Sequence, residues 1–175
     1  MKPSVELILG GARSGKSRYA ERRALESGLD CIYIATAQAG DAEMAERIRM
    51  HREQRNGFSA SIEEPLALAQ TIAAAMSGSR CLLIDCLTLW LTNLLLRGDE
   101  DYFRRERGAL FDVLSDAKGR IIFVSNEVGL GIVPADALSR RFVDESGRLH
   151  QELAARCDRV VFTIAGLPQI LKDSR

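Results

Sequence analysis

An excess of charge of either sign is the first thing this sequence lacks. Of its 175 residues, Lys and Arg number 24 and Asp and Glu number 24, so the formal net charge is zero. No global basic bias points to nucleic acid or to an anionic membrane as partner. The local groups Arg104, Arg105, Arg107 and Arg140, Arg141 read as solvated helix faces. Histidine is scarce, with only His51 and His150. The four cysteines, Cys31, Cys81, Cys86 and Cys157, show no C-x-x-C spacing, so a zinc site is not indicated. On apolar strands such cysteines act as small core residues. Long apolar runs are missing too. Val5–Leu9 is too short for the core of a signal peptide and contains Glu6. Cys81–Leu96 is broken by Asp85 and Asn93 and falls short of a membrane span. With no repeat and no low-complexity tract, the expectation is one soluble, cytosolic domain over residues 1–175.

What the sequence does contain is concentrated near its start. Gly10, Gly11, Ala12, Arg13, Ser14, Gly15, Lys16 and Ser17 fit G-x-x-x-x-G-K-[ST], the phosphate-binding P-loop. The apolar Val5–Leu9 precedes it and the helix-forming run Arg18–Leu25 follows, which is the strand-turn-helix context the motif needs. Glycines let successive backbone N–H groups turn inward toward phosphate oxygens, and the helix N-terminus adds partial positive charge. In this reading Lys16 reaches the outer phosphates and the Ser17 hydroxyl ligates magnesium. The chain is therefore expected to bind a nucleoside triphosphate.

Strand and helix patterns then alternate, which argues for an α/β fold, a mostly parallel sheet with helices on both faces. Strands are expected at Cys31–Ala35, Phe58–Ile62, Arg80–Asp85, Ile121–Ser125 and Arg159–Ile164, with Pro168–Lys172 as a further candidate. Helices are expected at about Ala42–Arg55 behind an Asp41 cap, from Pro65 to about Met76, over Asp101–Ala117, and ending near Cys157. Between them, Leu87, Trp90, Leu91, Leu94 and Leu95 fall on one helical face. That face is more apolar than one side of a small domain usually requires. It either packs wholly into the core or gives part of itself to a subunit interface.

Beyond the P-loop, Leu82-Leu83-Ile84-Asp85 has the form of an apolar strand ending in an acid, the position from which Asp85 would hold magnesium or act in catalysis. Asn126–Pro134 follows a strand at the edge where open α/β sheets bind ligands. Its two glycines and proline suit a shaped loop at the site and a long surface connection equally well. His51 lies among Arg47, Arg49, Arg52 and Arg55. On an amphipathic helix it is ordinarily a boundary residue, and the functional alternative is a general base or nucleophile.

Taken together these segments resemble one family, the bifunctional adenosylcobinamide kinase / adenosylcobinamide-phosphate guanylyltransferases of cobalamin biosynthesis. The resemblance spans essentially the whole chain. It rests on Gly10–Ser17, Tyr33-Ile34-Ala35-Thr36, Glu43–Ile48 leading to His51, Asp85–Leu94, and Ser125–Pro134. It implies a RecA-like P-loop NTPase fold and a homo-oligomer, a trimer. It implies phosphorylation of the aminopropanol hydroxyl of adenosylcobinamide, then transfer of GMP from GTP to that phosphate, with Mg2+, ATP and GTP at the site. It implies a GMP–histidine phosphoramidate on His51, with Lys16 and Asp85 also catalytic. Ala35, Thr36 and Ala37, and Arg52, Glu53, Gln54 and Arg55, would line the nucleotide site, and Glu63 would contact guanine, with the adjoining Glu64 as the alternative. Met50 stands where some relatives have a second histidine, which argues against a required pair. The rival readings are a monofunctional small-molecule kinase with His51 a bystander, and a regulatory NTPase.

Overall fold

The computed structural model describes residues 3–38 and 57–174. Strands β1 (Ser4–Gly10), β2 (Asp30–Ala35), β3 (Ala60–Glu63), β4 (Arg80–Asp85), β5 (Arg120–Asn126), β6 (Arg159–Ile164) and β7 (Leu167–Asp173) form one sheet, ordered β3-β2-β4-β5-β1-β6-β7. The pairings from β3 to β6 are parallel, so Glu63, Ala35, Asp85, Asn126 and Gly10 all finish at one edge. β5 lies between β1 and β4, which places its last residues between the P-loop and Asp85. β7 runs antiparallel to β6 after a tight turn at Ala165 and Gly166, both with positive φ. Pro168 is tolerated because β7 is an edge strand.

The alternation of side chains assigns each strand's residues to two layers. Leu7, Leu9, Leu82, Ile84, Ile121 and Phe123 face α2 (Leu68–Ala75), α3 (Leu87–Arg97), α4 (Glu100–Ser115) and α5 (Ala137–Arg156). Ile8, Tyr33, Leu83, Ile122 and Val124 face α1 (Lys16–Leu25) through Tyr19, Ala20 and Ala24. A sheet buried on both faces explains why these strands read as continuous apolar runs. The face Leu87, Trp90, Leu91, Leu94 and Leu95 packs wholly into the core, every member being buried within the single chain. The four cysteines are free and buried, and burial pushes the Cys81 and Cys157 thiols up to about 12.

Several boundaries shift by a few residues, and two shifts have identifiable reasons. α2 starts at Leu68 rather than at Pro65, because the Glu64 carboxylate accepts from the Leu66 and Ala67 N–H groups at 2.8 and 2.7 Å. That local bonding holds the segment as a turn. β3 starts at Ala60 rather than Phe58, whose ring instead meets Tyr33 edge-on with centroids 5.3 Å apart. The helix expected over Ala42–Arg55 lies outside the described residues.

Glu6, the acid inside the first apolar strand, is fully buried on the α1 side of the sheet. It accepts from Arg23 Nη2 at 3.0 Å and from Arg120 Nη2, so one carboxylate bridges two guanidinium groups. Removing one partner of such a group leaves buried charge uncompensated. Glu6→Ala is expected to cost about 3–5 kcal/mol in stability, read by urea unfolding. A loss under about 1 kcal/mol would mean that water reaches Arg120 readily.

Candidate nucleotide site

The sequence folds into a P-loop because its glycines stand where side chains do not fit. A Cβ on Gly10 would lie 2.5 Å from both Ser14 Oγ and the Thr163 carbonyl. Gly15, the N-cap of α1, has φ 91°, and a Cβ there would stand 3.0 Å from Gly166 Cα. The loop is tied down on both flanks. Gly10 O accepts from Glu127 N at 3.0 Å, and Ser14 O accepts from Gly166 N at 2.8 Å. Arg13 also adopts positive φ, at 54°, at the exposed tip.

No side chain caps the N-terminus of α1, and its first turn contains no acid. A helix start left open in this way offers N–H groups and partial positive charge to an anion. Lys16, the first residue of α1, is buried with its Nζ donating to Gly11 O at 3.2 Å. The ammonium thus lies over the loop it serves. Ser17 follows it, half-buried.

Asp85 ends β4 at the same edge, where its Oδ2 accepts from Tyr33 OH at 2.8 Å. That bond anchors one carboxylate oxygen, a role for Tyr33 that sequence alone did not reveal. Ala35 ends β2 in register with it, and Thr36 follows. Thr36 is committed internally: Oγ1 donates to Cys86 O at 2.6 Å and accepts from Cys86 N at 3.0 Å. Its carbonyl accepts from Asn93 Nδ2 at 2.8 Å, so Thr36 shapes the loop before Ala37. Glu63 is exposed at the end of β3, in register with Ala35. Glu64 caps the turn into α2 and is occupied there. His51, Arg52, Glu53, Gln54 and Arg55 lie outside the described residues.

A Mg2+ ion usually takes one or two protein oxygen ligands and completes its shell with phosphate oxygens and water. The oxygens that could serve such an ion here are the Ser17 hydroxyl, on the first turn of α1, and the Asp85 carboxylate at the end of β4. Among the described residues no group of three His, Cys, Asp or Glu side chains could hold a metal alone. Among the described residues no helix is long and apolar enough to cross a membrane.

The site also contains a polar group that sequence reasoning left unassigned. Thr88, Ser125, Glu127 and His150 come together behind the end of β5. Their sequence separation hides the grouping; the signals were the loop Asn126–Pro134 at the ligand edge and polar residues closing an apolar strand.

Comparison with known proteins agrees with this geometry. The family model described as cobinamide kinase / cobinamide phosphate guanyltransferase matches residues 6–171. The chain is 62% identical to the bifunctional adenosylcobalamin biosynthesis protein CobP of Pseudomonas aeruginosa, covering 95% of this chain and 96% of that protein. It is 37% identical to the bifunctional adenosylcobalamin biosynthesis protein CobU of Escherichia coli, over 92% of this chain and 96% of that protein. Among solved structures it resembles the flagellar accessory protein FlaH of Methanocaldococcus jannaschii. There the TM-score is 0.54 and the identity 15%, over 97% of this chain and 78% of that one. This last likeness concerns the fold alone. With the motif, the sheet order and a match over nearly the full length in agreement, the chain belongs to the cobinamide kinase / cobinamide phosphate guanyltransferase family.

Proposed function

We propose that this chain phosphorylates adenosylcobinamide and then transfers GMP from GTP to the resulting phosphate through a covalent GMP–histidine intermediate on His51. The observation that carries the reading is the P-loop with its uncapped helix start, in a chain whose family match spans residues 6–171. In the kinase step the substrate hydroxyl attacks the γ-phosphorus of a nucleoside triphosphate, and the diphosphate leaves against Lys16 and the loop N–H groups. In the second reaction the His51 imidazole attacks the α-phosphorus of GTP and pyrophosphate leaves. The corrinoid phosphate then displaces histidine. A neutral imidazole is a nucleophile without first losing a proton. Lys16 and the α1 N-terminus stabilise charge building on the leaving phosphates in both reactions. Ser17 and Asp85 would hold Mg2+, which, when bound, supplies further neutralisation of that charge.

Arg52, Glu53, Gln54 and Arg55, together with Ala35, Thr36 and Ala37, belong to the same nucleotide site in this reading. Homotrimeric assembly is part of it as well. The α3 apolar face does not hold the trimer together, since it is buried within the chain.

Glu63 is proposed to select guanine. A carboxylate accepts from guanine N1–H and N2–H₂, whereas adenine presents an acceptor at N1 and meets it repulsively. Glu63 ends β3 in register with Ala35, at the edge where the P-loop and Asp85 lie. Glu63→Gln is expected to weaken GTP about tenfold while leaving ATP nearly unchanged, as read from KM or competition binding. Equal losses for both nucleotides assign Glu63 to structure.

The test of the whole proposal is product mass. Incubated with adenosylcobinamide, ATP, GTP and Mg2+, the protein should yield first the corrinoid monophosphate and then the GDP-corrinoid. A reaction that stops at the monophosphate supports the monofunctional kinase, and an unchanged corrinoid supports the regulatory NTPase.

A further inference from the structure

Of the two reactions, only the kinase step begins with a nucleophile that must lose a proton. The corrinoid phosphate and a neutral imidazole both attack with lone pairs already free; the alcohol does not. Among the described residues, one carboxylate outside the groups assigned above to the nucleotide and its metal is placed to take that proton.

Glu127 follows the last residue of β5, the strand between the P-loop strand and the Asp85 strand. Its backbone N–H donates to Gly10 O at 3.0 Å, so it is fixed to the first residue of the loop that holds the phosphates. Its side chain is partly open, at 22% exposure. Oε1 accepts from Gly129 N at 2.6 Å, while Oε2 faces His150 Nδ1 at 3.6 Å.

His150 lies on α5 with its side chain 7% exposed, and among the described residues Nδ1 has no hydrogen-bond partner closer than that carboxylate. Its other nitrogen, Nε2, is 2.8 Å from Ser125 Oγ, and Ser125 Oγ is 3.2 Å from Thr88 Oγ1. The Asn126 N–H donates to Thr88 Oγ1 at 2.7 Å. What faces Nδ1 decides the tautomer: an unprotonated Nδ1 would turn its lone pair on the Glu127 carboxylate, whereas a protonated one aims an N–H at it. With the neutral ring's proton on Nδ1, Nε2 accepts from the Ser125 hydroxyl. Burial lowers the His150 pKa and the Glu127 carboxylate opposes that effect, which agrees with a neutral ring at neutral pH.

We infer that Glu127 takes the proton from the substrate hydroxyl in the kinase step, and that Thr88, Ser125 and His150 are positioning residues that orient its carboxylate. The inference rests on the kinase activity proposed above. In the step the alcohol O–H bond breaks and its proton passes to Glu127. The oxygen forms a bond to the γ-phosphorus, the bond from that phosphorus to the β,γ-bridging oxygen breaks, and the nucleoside diphosphate leaves with the electron pair. Glu127 returns the proton to water through its open side.

Two variants and two assays test it. Glu127→Gln keeps the shape and loses the base. It is expected to lower kinase kcat about 100-fold or more, within the range for general bases. Guanylyl transfer to supplied adenosylcobinamide phosphate should stay within about threefold of wild type, which also shows that the variant folds. His150→Phe should lower kinase kcat about tenfold with KM for adenosylcobinamide unchanged. Nitrogen-15 NMR of wild type should show His150 protonated on Nδ1. Equal loss of both reactions in Glu127→Gln would make the residue a clamp on the P-loop and overturn the inference. So would unchanged kinase kcat, or a ring protonated on Nε2 alone. A wild-type protein that phosphorylates no cobinamide contradicts instead the proposed function on which the inference rests.

Discussion

Lys16→Ala should abolish kinase and guanylyl transfer together, each by about 10³-fold or more. Removal of a single neutral donor to developing negative charge costs roughly 10²–10³-fold in enzymes with preorganised sites, and Lys16 brings a full charge. It is the first residue of α1, buried over the loop, with Nζ donating to Gly11 O at 3.2 Å. Its ammonium is therefore already oriented before a nucleotide arrives. The leaving groups differ, a nucleoside diphosphate in one reaction and pyrophosphate in the other, but both build charge on oxygens held by this loop. Separate initial-rate assays with adenosylcobinamide and with its phosphate check the expectation. Either activity near the wild-type rate would show that the two reactions do not share the P-loop.

The second large effect is selective. His51→Ala should lose guanylyl transfer on the order of 10⁴-fold or more, the scale on which enzymes depend on a covalent nucleophile. Kinase activity should remain within a few-fold, because direct phosphoryl transfer to the substrate hydroxyl needs no nucleophile from the enzyme. Lys16 and His51 thus separate the proposal into a shared part and a reaction-specific part. Glu127, on the opposite assignment, is specific to the kinase. A His51 variant in which both activities fall equally would place the residue in binding or structure.

The features that were legible in the sequence are those encoded by contiguous residues. Gly10 and Gly15 are required by backbone geometry within a single turn, so the P-loop motif and its fold could be read together. The place of Asp85 at the end of an apolar strand could be read as well, although such strands are common and only the P-loop gave the acid its weight. The α3 stripe was legible as apolar, but only the packing of α3 against β4, β5, α4 and α5 decides that it is core. The turn before α2 was misread because Pro65 suits a first helical position, while the competing Glu64 bonds depend on side-chain geometry. Thr88, Ser125 and Glu127 lay in segments that the sequence marked out, but their meeting with one another and with His150 was not legible. Its members sit on three elements and the loop after β5, and they meet only because β5 lies beside β1 and α5 packs over its end. His150 by itself gave no sign of what it faces.

The most direct measurement of the central claim follows the α-phosphate of GTP. Incubated with Mg2+ and GTP labelled at that position, the protein should retain covalent label, labile to acid and stable to alkali, as a phosphoramidate is. Peptide mapping should place the label on His51, and the His51→Ala protein should carry none. Adding adenosylcobinamide phosphate should discharge the label into the corrinoid. Label carried on serine or threonine, label derived from the γ-phosphate instead, or an unlabelled protein that still forms the GDP-corrinoid would each contradict the account.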